Sequence, residues 1–214
     1  MKTSLEHWQS VWRQLGASSA NEELYHQLVR CYSEPHRKYH TIQHLNECLT
    51  HLESVHALAD HANEVELALW FHDAIYDTSK KDNEKRSADW ARDSVLAASV
   101  SSEKADRIYE LIMATTHNAV PVGKDAEVLV DIDLGILGAG ADRFDDYEVQ
   151  VREEYSWVPE PLYRAARRKV LEQFMNREWI YSTESFRTQY EAQARENIAR
   201  SLARLRIDWP KSQR

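Results

Sequence analysis

The chain is short of glycine and proline, with five of each in 214 residues. Folds built from many short strands use turn residues far more freely, so the scarcity favours long helices joined by short loops. Cysteine is scarcer still: Cys31 and Cys48 are the only two. They form neither a disulfide framework nor a zinc-binding spacing, and both read as small buried apolar side chains. No apolar run approaches the roughly 20 residues needed to span a bilayer. The opening segment, MKTSLEHWQSVWRQL, is amphipathic and lacks the uninterrupted apolar stretch of a secretory leader. The expectation is a soluble, cytoplasmic protein with no membrane contact. Positive charge is outweighed as well: 27 Lys and Arg against 35 Asp and Glu give a formal charge of −8. That balance argues against a broad phosphate-binding face for a nucleic-acid duplex. A small phosphorylated ligand stays compatible if metal ions and a few arginines concentrate positive charge locally.

What the chain does have is helical periodicity almost throughout. Hydrophobic residues make up 43% and charged residues 29%, and seven Trp with ten Tyr argue for a packed core over a disordered chain. Leu5, Trp8, Trp12 and Leu15 mark one stripe, closed by Gly16 as a C-cap. Further helices are expected over about 21–32, 38–58 (after the break at Pro35), 63–74, 83–98 and 103–116. Three more are expected over about 142–155, 161–176 and 188–206. The segment AEVLVDIDLGILG permits a short strand, but a buried helix ended by Gly138 and Gly140 suits its surroundings better. No repeat, low-complexity tract or linker interrupts the pattern. The expectation is therefore all-α: one compact helical bundle over 1–206 with a tail at 207–214. Exposed apolar positions on the first helix would suit a homodimer.

Chemistry concentrates at three places. Tyr39-His40-Thr41-Ile42-Gln43-His44 sets two imidazoles four residues apart, which on a helix is one face. Phe71-His72-Asp73 joins a histidine to a carboxylate at the end of a very apolar helix, and Asp131-Ile132-Asp133 brings two carboxylates into another apolar stretch. Burying carboxylates among Val, Ile and Leu is costly without positive compensation. A divalent cation held by two imidazoles and two carboxylates supplies it and leaves room for water and a phosphate oxygen. Taken singly, each piece is also what a surface pair, a chance dipeptide or a helix cap would look like. Their order and their apolar setting give them weight together.

That order, H…HD…D in a helical chain, resembles the HD superfamily of metal-dependent phosphohydrolases. YHTIQHL is also similar to the YHxxxH segment of cyclic-nucleotide phosphodiesterases. The fuller set RKYHTIQHL, LALWFHDAIYD, DNEKRSA, IMATTH, DIDLGILG, VREEYSWVP and RRKVLEQF resembles a bacterial family described as predicted HD-superfamily phosphohydrolases. The resemblance covers about residues 37–175 and implies an HD-type helical domain. It further implies His44, His72, Asp73 and Asp133 as ligands to a divalent ion, with Asp133 preferred to Asp131. Mn2+ is favoured, and Fe2+, Ni2+, Co2+ and Mg2+ are compatible with mixed nitrogen and oxygen ligation.

The same resemblance implies His40 as general acid for the leaving group. Asp77 matches the last residue of the HDxxED pattern of alarmone hydrolases, where it helps activate water; Tyr76 stands in place of the Glu, and an acidic cap on the loop is the local alternative. Arg152 and Arg167 match segments expected to hold phosphate by bidentate bonds. Asn83 reads either as the N-cap of its helix or, with Glu84, as a pocket residue. His117 suits a helix C-terminus, and the alternatives are a phosphate contact or a second metal. The implied reaction is hydrolysis of a phosphoester or phosphoanhydride in a small metabolite, a nucleotide first. A cyclic-nucleotide phosphodiesterase and a non-catalytic metal or nucleotide sensor are the alternatives.

Overall fold

The structure is a computed structural model that describes residues 2–206; the tail expected over 207–214 lies outside the described residues. Among the described residues there are ten α-helices, two short 3-10 segments and no strand. The fold is all-α, and none of these helices is long and apolar enough to cross a membrane. By internal packing the chain divides into two compact units, Met1–Asp133 and Leu134–Arg214.

The first unit is built around one helix. α4 (Ala62–Phe71) buries nine of its ten residues and packs on α1 (Leu5–Leu15), α3 (Ile42–Val55), α5 (Asn83–Ala97), α6 (Ser102–Ala114) and α7 (Lys124–Asp133). A helix apolar on every side belongs in a core, and ANEVELALWF is close to that limit. Its two acidic residues are each given a partner: the Arg107 guanidinium grips Glu64 through two bonds of 2.7 Å, and His7 pairs with Glu66.

α1 lies against this helix. Ser4 caps its N-terminus by accepting from the His7 amide, and Gly16 closes it at φ 83°, where a side chain would be strained. Trp8, Val11, Trp12 and Leu15 are all buried, with the Trp8 ring 5.1 Å from that of Trp70 and 5.3 Å from that of Trp12. The stripe Trp8, Val11, Trp12 and Leu15 is covered by the chain itself. α2 (Glu22–Cys31) begins at the cap Asn21, whose Oδ1 accepts from the Leu24 amide.

Two local readings are corrected. The third helix starts at Ile42, not near residue 38, because Thr41 takes a cap conformation and accepts from the Gln43 amide. His40 therefore precedes the helix instead of sharing its face with His44. Asn83 is not the cap of α5; Asp82 holds that position. The Asn83 amide instead pins the preceding loop, accepting from the Asp77 N–H at 3.2 Å and donating to the Asp77 carbonyl at 3.0 Å.

The AEVLVDIDLGILG stretch is helical as expected: α7 ends at Asp133, and Leu134–Gly138 continues as a 3-10 segment. That segment opens the second unit, which adds α8 (Ala141–Glu154), α9 (Glu160–Met175) and α10 (Glu184–Arg206). α10 packs closely on the 3-10 segment, where the Asn197 amide donates to the Leu137 and Ala139 carbonyls at 2.9 and 2.8 Å. Gly138 makes that approach feasible. A Cβ there would stand 2.6 Å from the Tyr190 Cβ and 2.9 Å from the Tyr190 carbonyl oxygen, and neither atom can swing aside. Gly138→Ala is expected to lower stability by about 1–3 kcal/mol, the usual cost of overpacking. Urea titration checks this, and an unchanged midpoint would contradict the close packing.

Candidate metal centre

His44 stands in the first turn of α3, His72 at the C-cap of α4 with Asp73 just beyond, and Asp133 at the last position of α7. Three helices thus deliver four side chains to one point. His44 Nε2 lies 3.2 Å from His72 Nε2, 3.5 Å from Asp73 Oδ2 and 3.4 Å from Asp133 Oδ1. His72 Nε2 lies 2.9 Å from Asp73 Oδ2 and 3.5 Å from Asp133 Oδ1. The tautomer of His72 follows from its other nitrogen: Nδ1 is 2.7 Å from the Leu69 carbonyl, which can only accept. In the neutral ring the Nε2 lone pair therefore faces the cluster.

An ion bonded at about 2.1 Å holds adjacent ligand atoms about 3.0 Å apart at a right angle and about 3.4 Å apart at the tetrahedral angle. The five separations, from 2.9 to 3.5 Å, match that range. The cluster could hold a metal ion. The imidazole side chains are 3% and 1% exposed, while Asp73 and Asp133 keep 17% and 14%, so the cluster opens to solvent on its carboxylate side.

Burial opposes charge on all four groups, but the groups answer one another. At Asp73 the desolvation cost is outweighed by His72, His40 and His44, and the carboxyl is held well below its usual range. At Asp133 it is outweighed by bonds from His117, His44 and His72, with the same result. Burial likewise works against a charged His44 or His72, yet Cys48 and Tyr39 beside the first, Asp73 and Tyr32 beside the second, and both carboxylates push these imidazoles well above the usual value.

The buried group His44, Cys48, His72 and Asp133 could hold a metal ion. Cys48 is the member that sequence reasoning missed. It is buried, as expected of a small apolar residue, but it follows His44 by one helical turn, and that spacing was the available signal. Its Sγ is 3.7 Å from both ring nitrogens of His44, which places sulfur beside the ring instead of along the Nε2 lone pair. Asp73 Oδ2 meets both Nε2 atoms more directly.

The surrounding residues divide into those that reach the cluster and those engaged elsewhere. His117 reaches it: Nε2 is 3.0 Å from Asp133 Oδ2, leaving Oδ1 for the two imidazoles. His117 sits at φ 54°, a left-handed conformation that is uncommon outside glycine and tends to mark functional sites. The His40 ring is 6.0 Å from that of His44 and stacks on Tyr76 at 4.1 Å. Burial raises the Glu84 carboxyl, and the charges of Asp73 and Asp133 raise it further.

Asp77 behaves as a loop cap. Its Oδ1 accepts from the Ser79 N–H at 2.9 Å and the Ser79 hydroxyl at 2.7 Å, and these bonds lower its pKa. Arg152 and Arg167 belong to the second unit and are bonded within it. Arg152 donates to Glu160, to the Tyr155 carbonyl and to the Val158 carbonyl, and packs over Tyr163. Arg167 pairs with Glu148 and packs over Tyr147.

Set against protein-family models, curated proteins and solved structures, the chain matches none. What stands is an all-α fold carrying a buried cluster able to hold a metal ion.

Proposed function

We propose that the protein is a metal-dependent phosphohydrolase of the HD type, acting on a small phosphorylated metabolite, a nucleotide first. The observation that carries this reading is the convergence of His44 Nε2, His72 Nε2, Asp73 Oδ2 and Asp133 Oδ1 at separations that suit one divalent ion. Mn2+ is the first ion to try, because two nitrogen and two oxygen donors suit it as well as they suit Fe2+, Co2+ or Ni2+. The chemistry such an ion supplies is Lewis acidity toward a phosphoryl oxygen and acidification of water.

The chain's own residues do the rest. His44, His72, Asp73 and Asp133 hold the ion, and His117 fixes the Asp133 carboxylate by taking its outer oxygen. His40, its ring set by the Tyr76 stack, donates a proton to the departing oxygen of the substrate. Glu84, half-buried beside the carboxylates, lines the substrate's approach. A second reading, a metal-binding sensor without turnover, is favoured by one observation: the Asp77 carboxylate is already engaged by Ser79 instead of being free to activate water.

Phosphate and nucleoside release from mono-, di- and triphosphates, cyclic nucleotides and alarmones, each with Mn2+, Mg2+, Fe2+, Co2+ or Ni2+, distinguishes the two. Turnover that needs the ion and disappears in His72→Ala is the expected result. Tight ion binding with no turnover on any substrate would replace the hydrolase reading with the sensor.

A further inference from the structure

Arg37 is bonded to the backbone on both sides of the centre. Its side chain is 0% exposed, and Nε donates to Glu34 Oε2 at 2.9 Å. Its remaining bonds go to backbone: NH1 donates to the His40 carbonyl at 3.2 Å and the Asp73 carbonyl at 2.6 Å, and NH2 to the Ala74 carbonyl at 3.0 Å. The guanidinium also lies between two rings, 5.3 Å from the centre of Tyr32 and 5.4 Å from that of Tyr76. Tyr76 is the ring on which His40 stacks.

Removing a whole cation from water is costly unless its donors are satisfied by good geometry. Carbonyls just past a helix end can be capped by water. Here a buried guanidinium does the work, and the carbonyls it joins belong to the segment before α3 and the segment after α4. These two stretches carry His40 and Asp73 and lie outside α3 and α4, where single turns such as Thr41 N–H to the Tyr39 carbonyl and Ala74 N–H to the Phe71 carbonyl hold the backbone. We propose that Arg37 is the positioning residue of the metal centre: by tying the His40 and Asp73 backbones together and backing Tyr76, it sets where the Asp73 carboxylate and the His40 ring stand. The Asp73 half needs only the metal site; the His40 half rests on the hydrolase reading above.

The experiment uses the full chain with Arg37→Lys and Arg37→Met. Mn2+ affinity is measured by calorimetry, the bound ion's surroundings by its electron paramagnetic resonance line shape, and folding separately by circular dichroism and thermal melting. Supporting groups around metal ligands typically change affinity ten- to a hundredfold. A loss of about tenfold is expected for Arg37→Lys and about a hundredfold for Arg37→Met, with a changed line shape in both. Lower melting temperatures with unchanged affinity and line shape in the folded protein would reduce Arg37 to a stability element and overturn the proposal. If Arg37→Met does not fold, Arg37→Lys decides the matter alone. Where the substrate panel gives turnover, His40→Ala should cost less in the Arg37→Lys background than in the wild type; an equal cost in both overturns the His40 half. Absence of turnover counts against the hydrolase reading, and the Mn2+ measurements still judge Arg37.

Discussion

His72→Ala is expected to weaken Mn2+ binding at least about a hundredfold while leaving the helical circular dichroism signal unchanged. The imidazole is 1% exposed and presents a nitrogen whose orientation is fixed from behind, by the Leu69 carbonyl. Supporting groups alone are worth ten- to a hundredfold, so a direct donor sets a larger minimum. Its removal also leaves Asp73 and Asp133 facing each other with one fewer positive neighbour, which disfavours two charged carboxylates. Calorimetric titration measures the effect, and an affinity within about threefold of the wild type would mean that the ion sits elsewhere. Cys48→Ser is the natural companion. With sulfur beside the His44 ring, Mn2+ affinity should stay within about threefold, whereas a large loss would make Cys48 a ligand in place of Asp73.

The largest effect on stability is expected at Trp70. Its side chain is fully buried, meets Trp8 edge-on and lies on the helix that five others pack against. Aromatic-to-alanine changes in a core typically cost about 3–5 kcal/mol, a large share of a domain's total stability. Trp70→Ala should therefore remain folded in the cold but lose about 3–5 kcal/mol of unfolding free energy, and saturating Mn2+ should recover part of the loss because binding favours the folded form. Chemical denaturation checks this. A loss below about 1 kcal/mol would mean that the core can close around the cavity.

The fold was largely legible because apolar periodicity and caps speak for themselves. Gly16 announced the helix end that it makes, and the apolar density of ANEVELALWF announced the central position of α4. The four residues His44, His72, Asp73 and Asp133, which the fold brings together, were readable from their order and their apolar settings. What escaped were features that depend on through-space neighbours. Nothing local says that Arg37 is buried, since two of its acceptors lie 36 and 37 residues away at Asp73 and Ala74. Asp77 and Asn83 carry the same polar types whether they serve a pocket or pin a loop, and only the geometry reveals the pinning. Thr41 as a cap was visible, but the continuing apolar pattern drew the third helix past it. The boundary between the two units falls inside DIDLGILG, with no polar linker to mark it.

Asp133 is also the final residue of the first unit. A chain emerging from the ribosome presents His44, His72 and Asp73 long before Asp133, and domains tend to fold as units once complete. The donors that arrive early come from two segments, His44 from α3 and His72 with Asp73 from the end of α4, and α7 must pack before the fourth meets them. An ion that needs all four donors would therefore enter only after α7 has docked, and a filled site would report that assembly of that unit is finished.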